Sequence, residues 1–309
     1  MINQLSNRWF NNPSYFRYVF FLLLTLSVIL NSTIPYGDDH FYILYIFCVI
    51  FLGIGFYNKS TLFLIIFTVL VVSFRYLLLP DEELNVVVFL IHLCTYFLIT
   101  LISSRLMMLV QKVKEDNLEL TTALANALDS RDTYTLHHSE NVANYAVQIA
   151  EKMKLSKECC AIIRKGALLH DIGKIGIPEH ILGKNDKLMG NEYEIIKSHP
   201  VVGYNIIKHV TDFHKNGVLD IVLYHHERYD GKGYPKGIAG NQIPLYARIV
   251  AVADTFDAMT SKRVYRDELN LEYTLNEIRK NKGTQFDPEI VDVFLSLFED
   301  KNDVDQIKG

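Results

Sequence analysis

The sequence predicts an all-α protein in three parts: a transmembrane helical bundle of about four spans over 1–103, a helical linker over 104–128, and an all-helical soluble domain over 129–309. Three observations predict it. Nine charged residues (Arg8, Arg17, Asp38, Asp39, Lys59, Arg75, Asp81, Glu82 and Glu83) are all that the first 103 positions hold. Beyond them apolar residues recur at helical spacing, and no segment sustains the alternation of a strand. The 309 residues are 50% hydrophobic and 21% charged, which excludes a disordered chain, a collagen and a disulfide miniprotein. With 31 Lys and Arg against 35 Asp and Glu, the formal charge is −4, so the basic surplus of a nucleic-acid-polymer binder is missing. Cys48, Cys94, Cys159 and Cys160 form no CxxC pair and read as reduced, buried thiols.

Four apolar stretches, about Tyr18 to Ile34, Phe41 to Phe56, Leu62 to Leu79 and Val86 to Ser103, approach the ~20 residues that cross ~30 Å of hydrocarbon. Arg75, near the end of the third, can extend its head to the interface. A cleaved signal peptide is the rival for the first stretch, but no small-x-small site follows it and three more apolar runs do. Arg8, Arg17, Lys59, Arg105, Lys112 and Lys114 lie on one side of the implied bundle, and Asp38, Asp39, Asp81, Glu82 and Glu83 on the other. The positive-inside rule then puts both ends of the multi-pass region in the cytoplasm. His92 is ionisable and well inside a span, where it serves either sensing or a hydrogen bond to a neighbouring helix.

Through the linker, Leu106, Val110, Val113, Asn117, Leu120, Leu124 and Ala127 alternate spacings of four and three. That is a coiled-coil seam of about three heptads, with polar Asn117 where such a residue sets a two-stranded register. The seam predicts a homodimer through the linker; the alternative is a single amphipathic helix lying on the next domain.

Past residue 128, Val142, Tyr145, Ala146, Ile149 and Met153 make one helical stripe, Ile162, Ile163, Ala167 and Leu168 a second, and Ile249, Val250, Ala253 and Phe256 a third. Gly and Pro mark loops at Gly173 to Pro178, Asp230 to Pro235 and Gly237 to Pro244. Nine of the eleven histidines lie at or after position 137, several beside acids: His137-His138, His170-Asp171, His199 and His225-His226-Glu227. With Asp254 inside the apolar run IVAVADTFDAM, these are hard to explain as packing, because buried charge is costly without a partner. A metal cluster accounts for them together. Helical neighbours point about 100° apart, so adjacent pairs bracket two ions more readily than one, with a carboxylate such as Asp171 bridging. Imidazole and carboxylate without cysteine suit Fe or Mn, and less selectively Zn or Ni. Two adjacent divalent metal ions are the arrangement that activates hydroxide for in-line phosphoryl displacement.

In order along the chain stand DTYTLHHSENV, LLHDIGKIGIP, SHPVVGYNII, HHERYDGKGYP and VADTFDAMTSKRVYR. From about Asp129 to Pro288 this resembles the HD-GYP family, a branch of the HD-domain metal-dependent phosphohydrolases. HD alone is a weak signal, whereas HDIGK followed by HHERxDGxGYP is specific. The resemblance implies an all-helical HD-GYP domain on the inner membrane of a bacterium. Its expected activity is that of a phosphodiesterase hydrolysing the second messenger cyclic di-GMP, by metal-activated hydroxide, to linear pGpG or on to GMP. By position it implies that His138, His170, Asp171, His199, His225, His226 and Asp254 are metal ligands. Lys174 is placed beside the scissile phosphate, so Asp171 and Lys174 carry the catalysis. Gly231, Gly233, Tyr234 and Pro235 form the GYP loop, its glycines turning tightly and Pro235 stiffening its exit. Tyr234 contacts the substrate or merely packs. Arg263 and Arg266, where the family also places basic residues, hold a nucleotide phosphate or belong to a solvated charge run. Asp257, one turn after Asp254, orients a ligand or forms a surface salt bridge.

Two departures from the family pattern D-P-Y-T-x-G-H-S stand out: Thr133 for Pro and His137 for Gly, the latter adding a possible alternative ligand. Tyr134 stands where three-metal members have a Glu ligand, which points to two ions rather than a third and to pGpG as product. The rivals are a catalytically inactive cyclic di-GMP receptor and a phosphohydrolase for another cyclic dinucleotide.

Overall fold

The computed structural model describes residues 13–33, 41–78, 85–131, 137–184, 186, 188–261 and 270–307. The chain separates into two compact units, 1–116 and 117–309, with the division falling inside the predicted linker.

The first unit holds α1 (Ser14–Thr33), α2 (Tyr42–Gly55), α3 (Thr61–Leu78) and the N-terminal part of α4 (Val86–Asp129). Phe20, Tyr45, Leu52 and Val71 pack in its interior, while apolar Leu22, Leu62 and Val86 face outward. α1, α3 and α4 are long and apolar enough to cross a membrane; α2, at 14 residues, is a shorter apolar helix. The expectation of four spans is met in length by three. α2 stops at Gly55 because the chain turns through Phe56 to Asn58, and Arg17 Nε donates to Gly55 O at 2.8 Å, satisfying a carbonyl at that helix end. Arg75 Nη1 lies 2.6 Å from His92 Nδ1 and links α3 to α4; a guanidinium only donates, so the imidazole accepts. Of the two roles read for His92, the helix-to-helix hydrogen bond is the one formed.

α4 runs 44 residues without a break, its sequence free of Gly and Pro. Leu106, Val113, Leu120 and Leu124 of the seam are exposed, while Ala125 and Leu128 on another face are buried. The C-terminal part of the helix therefore packs within the second unit, to which Ala125 and Leu128 belong, as the amphipathic alternative expects, and the seam residues named stay exposed. The free cysteines differ from expectation: Cys48 and Cys160 are buried, but Cys94 is exposed and Cys159 half-buried.

The second unit continues with α5 (His138–Lys152), α6 (Lys157–Leu169), a 3-10 turn (Ile172–Gly176), α7 (Glu179–Leu182), α8 (Gly190–Lys197), α9 (His199–Ile207), α10 (Thr211–Asn216) and α11 (Val218–Tyr224). It closes with α12 (Leu245–Thr260), α13 (Leu271–Lys280) and α14 (Pro288–Ile307). The described residues contain an isolated bridge, Lys282 to Phe286, and no strand. Val142, Ala146 and Ile149 of α5 meet Ile163, Ala167 and Leu168 of α6 and Ile249, Val250, Ala253 and Phe256 of α12 in one core. The three predicted stripes are thus the three faces that bury one another. Ser156 caps α6 by accepting from Cys159 N.

Candidate metal centre

Helix ends bring most of the chemistry together. His138 opens α5, His199 opens α9, His225 and His226 follow α11, and Asp254 alone lies mid-helix, in α12. His170 and Asp171 come directly after α6, where the chain tightens into the 3-10 turn. Leaving the α-helix there frees the two neighbours from the 100° divergence that a continued helix imposes. Gly173 makes the arrangement possible: a Cβ at that position would sit 1.9 Å from His199 O and 2.5 Å from Gly203 N. Without a side chain, the turn lies directly on α9 and His199 comes beside Asp171.

The donor atoms form two groups, each within 4.8 Å: Asp171 with His199, His225 and His226, and Asp171 with His138 and His170. Asp171 belongs to both. His170 Nδ1 lies 2.6 Å from Ala167 O, His199 Nδ1 2.7 Å from Ile196 O, and His225 Nδ1 3.0 Å from Val222 O. A carbonyl only accepts, so each Nδ1 carries the proton and each Nε2 presents a lone pair inward. His199 Nε2 is 3.3 Å from His225 Nε2 and 3.2 Å from Asp171 Oδ1. His170 Nε2, completely buried, makes no well-formed hydrogen bond, although Asp171 Oδ2 is 3.3 Å away. Lone pairs facing lone pairs at such distances need positive charge between them, which divalent ions supply; the donor set fits metal.

Electrostatics agree. Burial, then the neighbouring His226, hold His225 well below its ordinary value, and burial first pulls His226 down to about 4, so both stay neutral, as ligands must be. Burial would raise the Asp171 carboxyl, but Lys174, His170 and His199 hold it well below the carboxylate range. His138 behaves differently. Its Nδ1 is 2.7 Å from Asp257 Oδ2 and its Nε2 3.3 Å from Asp254 Oδ1. Burial alone would pull it down, yet bonds to the two carboxylates raise it to about 10. Asp257 is buried, so of its two readings the one in which it orients His138 matches the geometry.

Lys174 Nζ lies 2.5 Å from Asp171 Oδ2, at the point the two groups share. Tyr234 leans over His226, ring centroids 4.8 Å apart, with Lys197 Nζ 5.5 Å from its ring; burial pushes its phenol up. The GYP loop follows from its residues: Gly231 sits at φ 79° and Tyr234-Pro235 is cis, and a Cβ on Gly233 would come within 2.3 Å of Arg228 N. His137 is exposed, at φ 68° ahead of α5, and belongs to neither group. Arg263, Arg266 and Tyr134 lie outside the described residues.

Three supporting residues were not singled out from sequence. Asp129 accepts from Ser139 N and Oγ, both at 2.9 Å, capping the helix that presents His138. Glu227 Oε1 accepts from Lys236 N at 2.6 Å and Gly237 N at 3.1 Å, tying the GYP loop to the histidine pair before it. Arg131 grips the turn that carries Lys174. Glu227 follows directly on His225-His226, which was a signal; the other two lie in front of LHHSENV with nothing to mark them.

The profile of the HD domain matches residues 122–290, more than half of the chain. The chain belongs to the HD-domain family. This HD-domain chain is similar to the cyclic di-GMP phosphodiesterase response regulator RpfG of Xanthomonas campestris, at 42% identity over 195 residues covering 63% of this chain and 51% of that protein. It is similar to a cyclic di-GMP phosphodiesterase of Thermotoga maritima at 41% identity, covering 62% of this chain and 52% of that protein. A 3'3'-cGAMP-specific phosphodiesterase 2 of Vibrio cholerae is 34% identical over 62% of this chain and 37% of its own length. The chain thus spans about half the length of the first two relatives.

Proposed function

We propose that the chain is a membrane-anchored, metal-dependent phosphodiesterase of the HD-GYP branch that hydrolyses cyclic di-GMP to linear pGpG. The observation that carries this reading is Asp171, common to both donor groups and 2.5 Å from Lys174; the names of the relatives point to the substrate. His199, His225 and His226 hold one divalent ion with Asp171, and His138 and His170, with Asp254 beside them, hold the second, Fe or Mn before Zn or Ni. Bound there, the ions lower the pKa of water and offset phosphoryl charge. Lys174 holds a phosphate oxygen as negative charge develops, in a site where burial strengthens the interaction. Asp171 fixes that ammonium in place, Asp257 orients His138, and the backbone carbonyls orient His170, His199 and His225. Tyr234 lines the approach to His226, and Arg263 and Arg266 take the second phosphate of the dianionic substrate.

The three long apolar helices and the side on which Lys and Arg gather support a multi-pass protein of the bacterial inner membrane with its HD domain in the cytoplasm. The open seam of Leu106, Val113, Leu120 and Leu124 supports a homodimer through the linker. The test is the purified full chain in lipid nanodiscs with Mn²⁺ or Fe²⁺, given cyclic di-GMP and separately 3'3'-cGAMP, with products separated by chromatography. Linear pGpG from cyclic di-GMP is expected. Binding without turnover would make it a receptor, and cleavage of 3'3'-cGAMP alone, the reading the Vibrio cholerae relative favours, would change the substrate.

A further inference from the structure

The last turn of α4 reaches both sides of the metal centre. Asp129 caps α5 beside His138, and Asn126 Nδ2 donates to Glu140 Oε1 at 2.7 Å in the first turn of that helix. Two residues beyond Asp129, the guanidinium of Arg131 spreads over the opposite wall. Nη1 donates to Lys174 O at 3.3 Å and Ile175 O at 3.2 Å. Nη2 donates to Ile177 O at 3.3 Å and to Glu179 Oε2 at 2.8 Å. A planar fork with five N–H groups is the side chain that can serve several fixed acceptors at once. Three of its acceptors are carbonyls, two in the 3-10 turn and one on the residue after it, and a 3-10 turn is a form of helix whose own hydrogen bonds are poorer than those of an α-helix.

Lys174 is consequently held at both ends, its ammonium by Asp171 Oδ2 and its carbonyl by Arg131. We propose that Arg131 is a positioning residue for the reaction: by clamping the carbonyls of Lys174, Ile175 and Ile177 it fixes where the Lys174 ammonium stands relative to the phosphate. It touches none of the metal-binding side chains, and its effect passes through Lys174. The inference rests on the phosphodiesterase reading, in which Lys174 serves the substrate.

The test is a cycle in the full chain in nanodiscs, with wild type, Arg131→Ala, Lys174→Ala and the double variant assayed on cyclic di-GMP, and bound metal measured for each. Arg131→Ala is expected to lower kcat by about 10- to 100-fold, the scale of a misplaced catalytic group, with KM within about twofold and bound metal unchanged. In the Lys174→Ala background the same change should cost less than about twofold, because residues that act as a unit are not additive. Arg131→Lys, whose point charge cannot span the carbonyls, should recover only part of the loss. An equal loss from Arg131→Ala in both backgrounds, or metal lost in step with kcat, would overturn the proposal. Hydrogen exchange gives a readout independent of turnover: Arg131→Ala should speed exchange at residues 172–177 and leave 157–169 unchanged. If the wild type cleaves no cyclic dinucleotide, the functional reading fails while exchange still decides the clamp, and unaltered exchange at 172–177 sinks it.

Discussion

The two donor groups that meet at Asp171 are built differently. On one side His199 and His225 are turned inward by backbone carbonyls three residues earlier in the chain, so their tautomer follows from local helix geometry. On the other side His138 is turned by Asp257, 119 residues away in sequence, and faces Asp254 as well. His170, on the same side as His138, is also turned by a carbonyl, that of Ala167, but against the pull of burial the neighbouring Asp171 raises it; a carbonyl fixes the ring, and a nearby carboxylate makes it more basic. The same imidazole chemistry therefore yields one group in which His225 and His226 are held neutral and another in which His138 and His170 are made more basic.

The largest effect should come from removing what the two groups share. Asp171→Ala is expected to strip metal from both and to lower turnover by at least about a thousandfold, since the carboxylate common to both groups and the partner of Lys174 go together; metal analysis with the product assay checks it, and a variant that kept half its metal would make Asp171 serve one group only. Next, His199→Ala should empty one group and spare the other, about halving bound metal. Asp257→Asn separates the two designs more finely. Loss of an outer carboxylate typically costs about 10- to 100-fold in affinity or activity, and it should fall on the His138 group alone, seen as one weakened site in a metal titration. The smallest effect concerns protons. Because the carboxylates raise His138 to about 10 against an unperturbed histidine near 6.5, an ion entering that group near neutral pH must expel a proton, so its affinity should climb as pH rises towards 10. His225 and His226, held low by burial, should give no such climb above pH 7. Calorimetry in buffers of different ionisation enthalpy would count the protons, and more should be released on the side of His138 and His170, both raised, than on the side of His225 and His226.

The same division separates what was legible in the sequence from what was not. The stripes of α5, α6 and α12 could be read because helical period and burial coincide, and all three meet in one core. The histidine pairs were legible because two histidines in succession beside acids are improbable as packing. Asp257 was ambiguous, since a residue one turn after Asp254 can face solvent or the site, and only the packing of α5 against α12 puts it against His138. Arg131 was invisible for a different reason: its partners are mostly carbonyls, which every residue has. α2 was read from Phe41 to Phe56 and runs Tyr42–Gly55, so its bounds were legible; at 14 residues it falls short of the ~20 that cross a bilayer, which leaves the count among the described residues at three helices of spanning length. In the linker, burial of Ala125 and Leu128 fits the amphipathic reading, while Leu106, Val113, Leu120 and Leu124 stay exposed, so the dimer reading remains a proposal.

Gly173 has an evolutionary consequence. Since His199 O occupies the place where its Cβ would stand, even a single methyl group would push α9 away and carry His199 from Asp171. A descendant of this chain could keep every histidine and aspartate and still lose the pocket, so a census of ligands would count a silent copy as an active one. The smallest residue of the motif is a better indicator of a living site than any of the side chains that would bind metal.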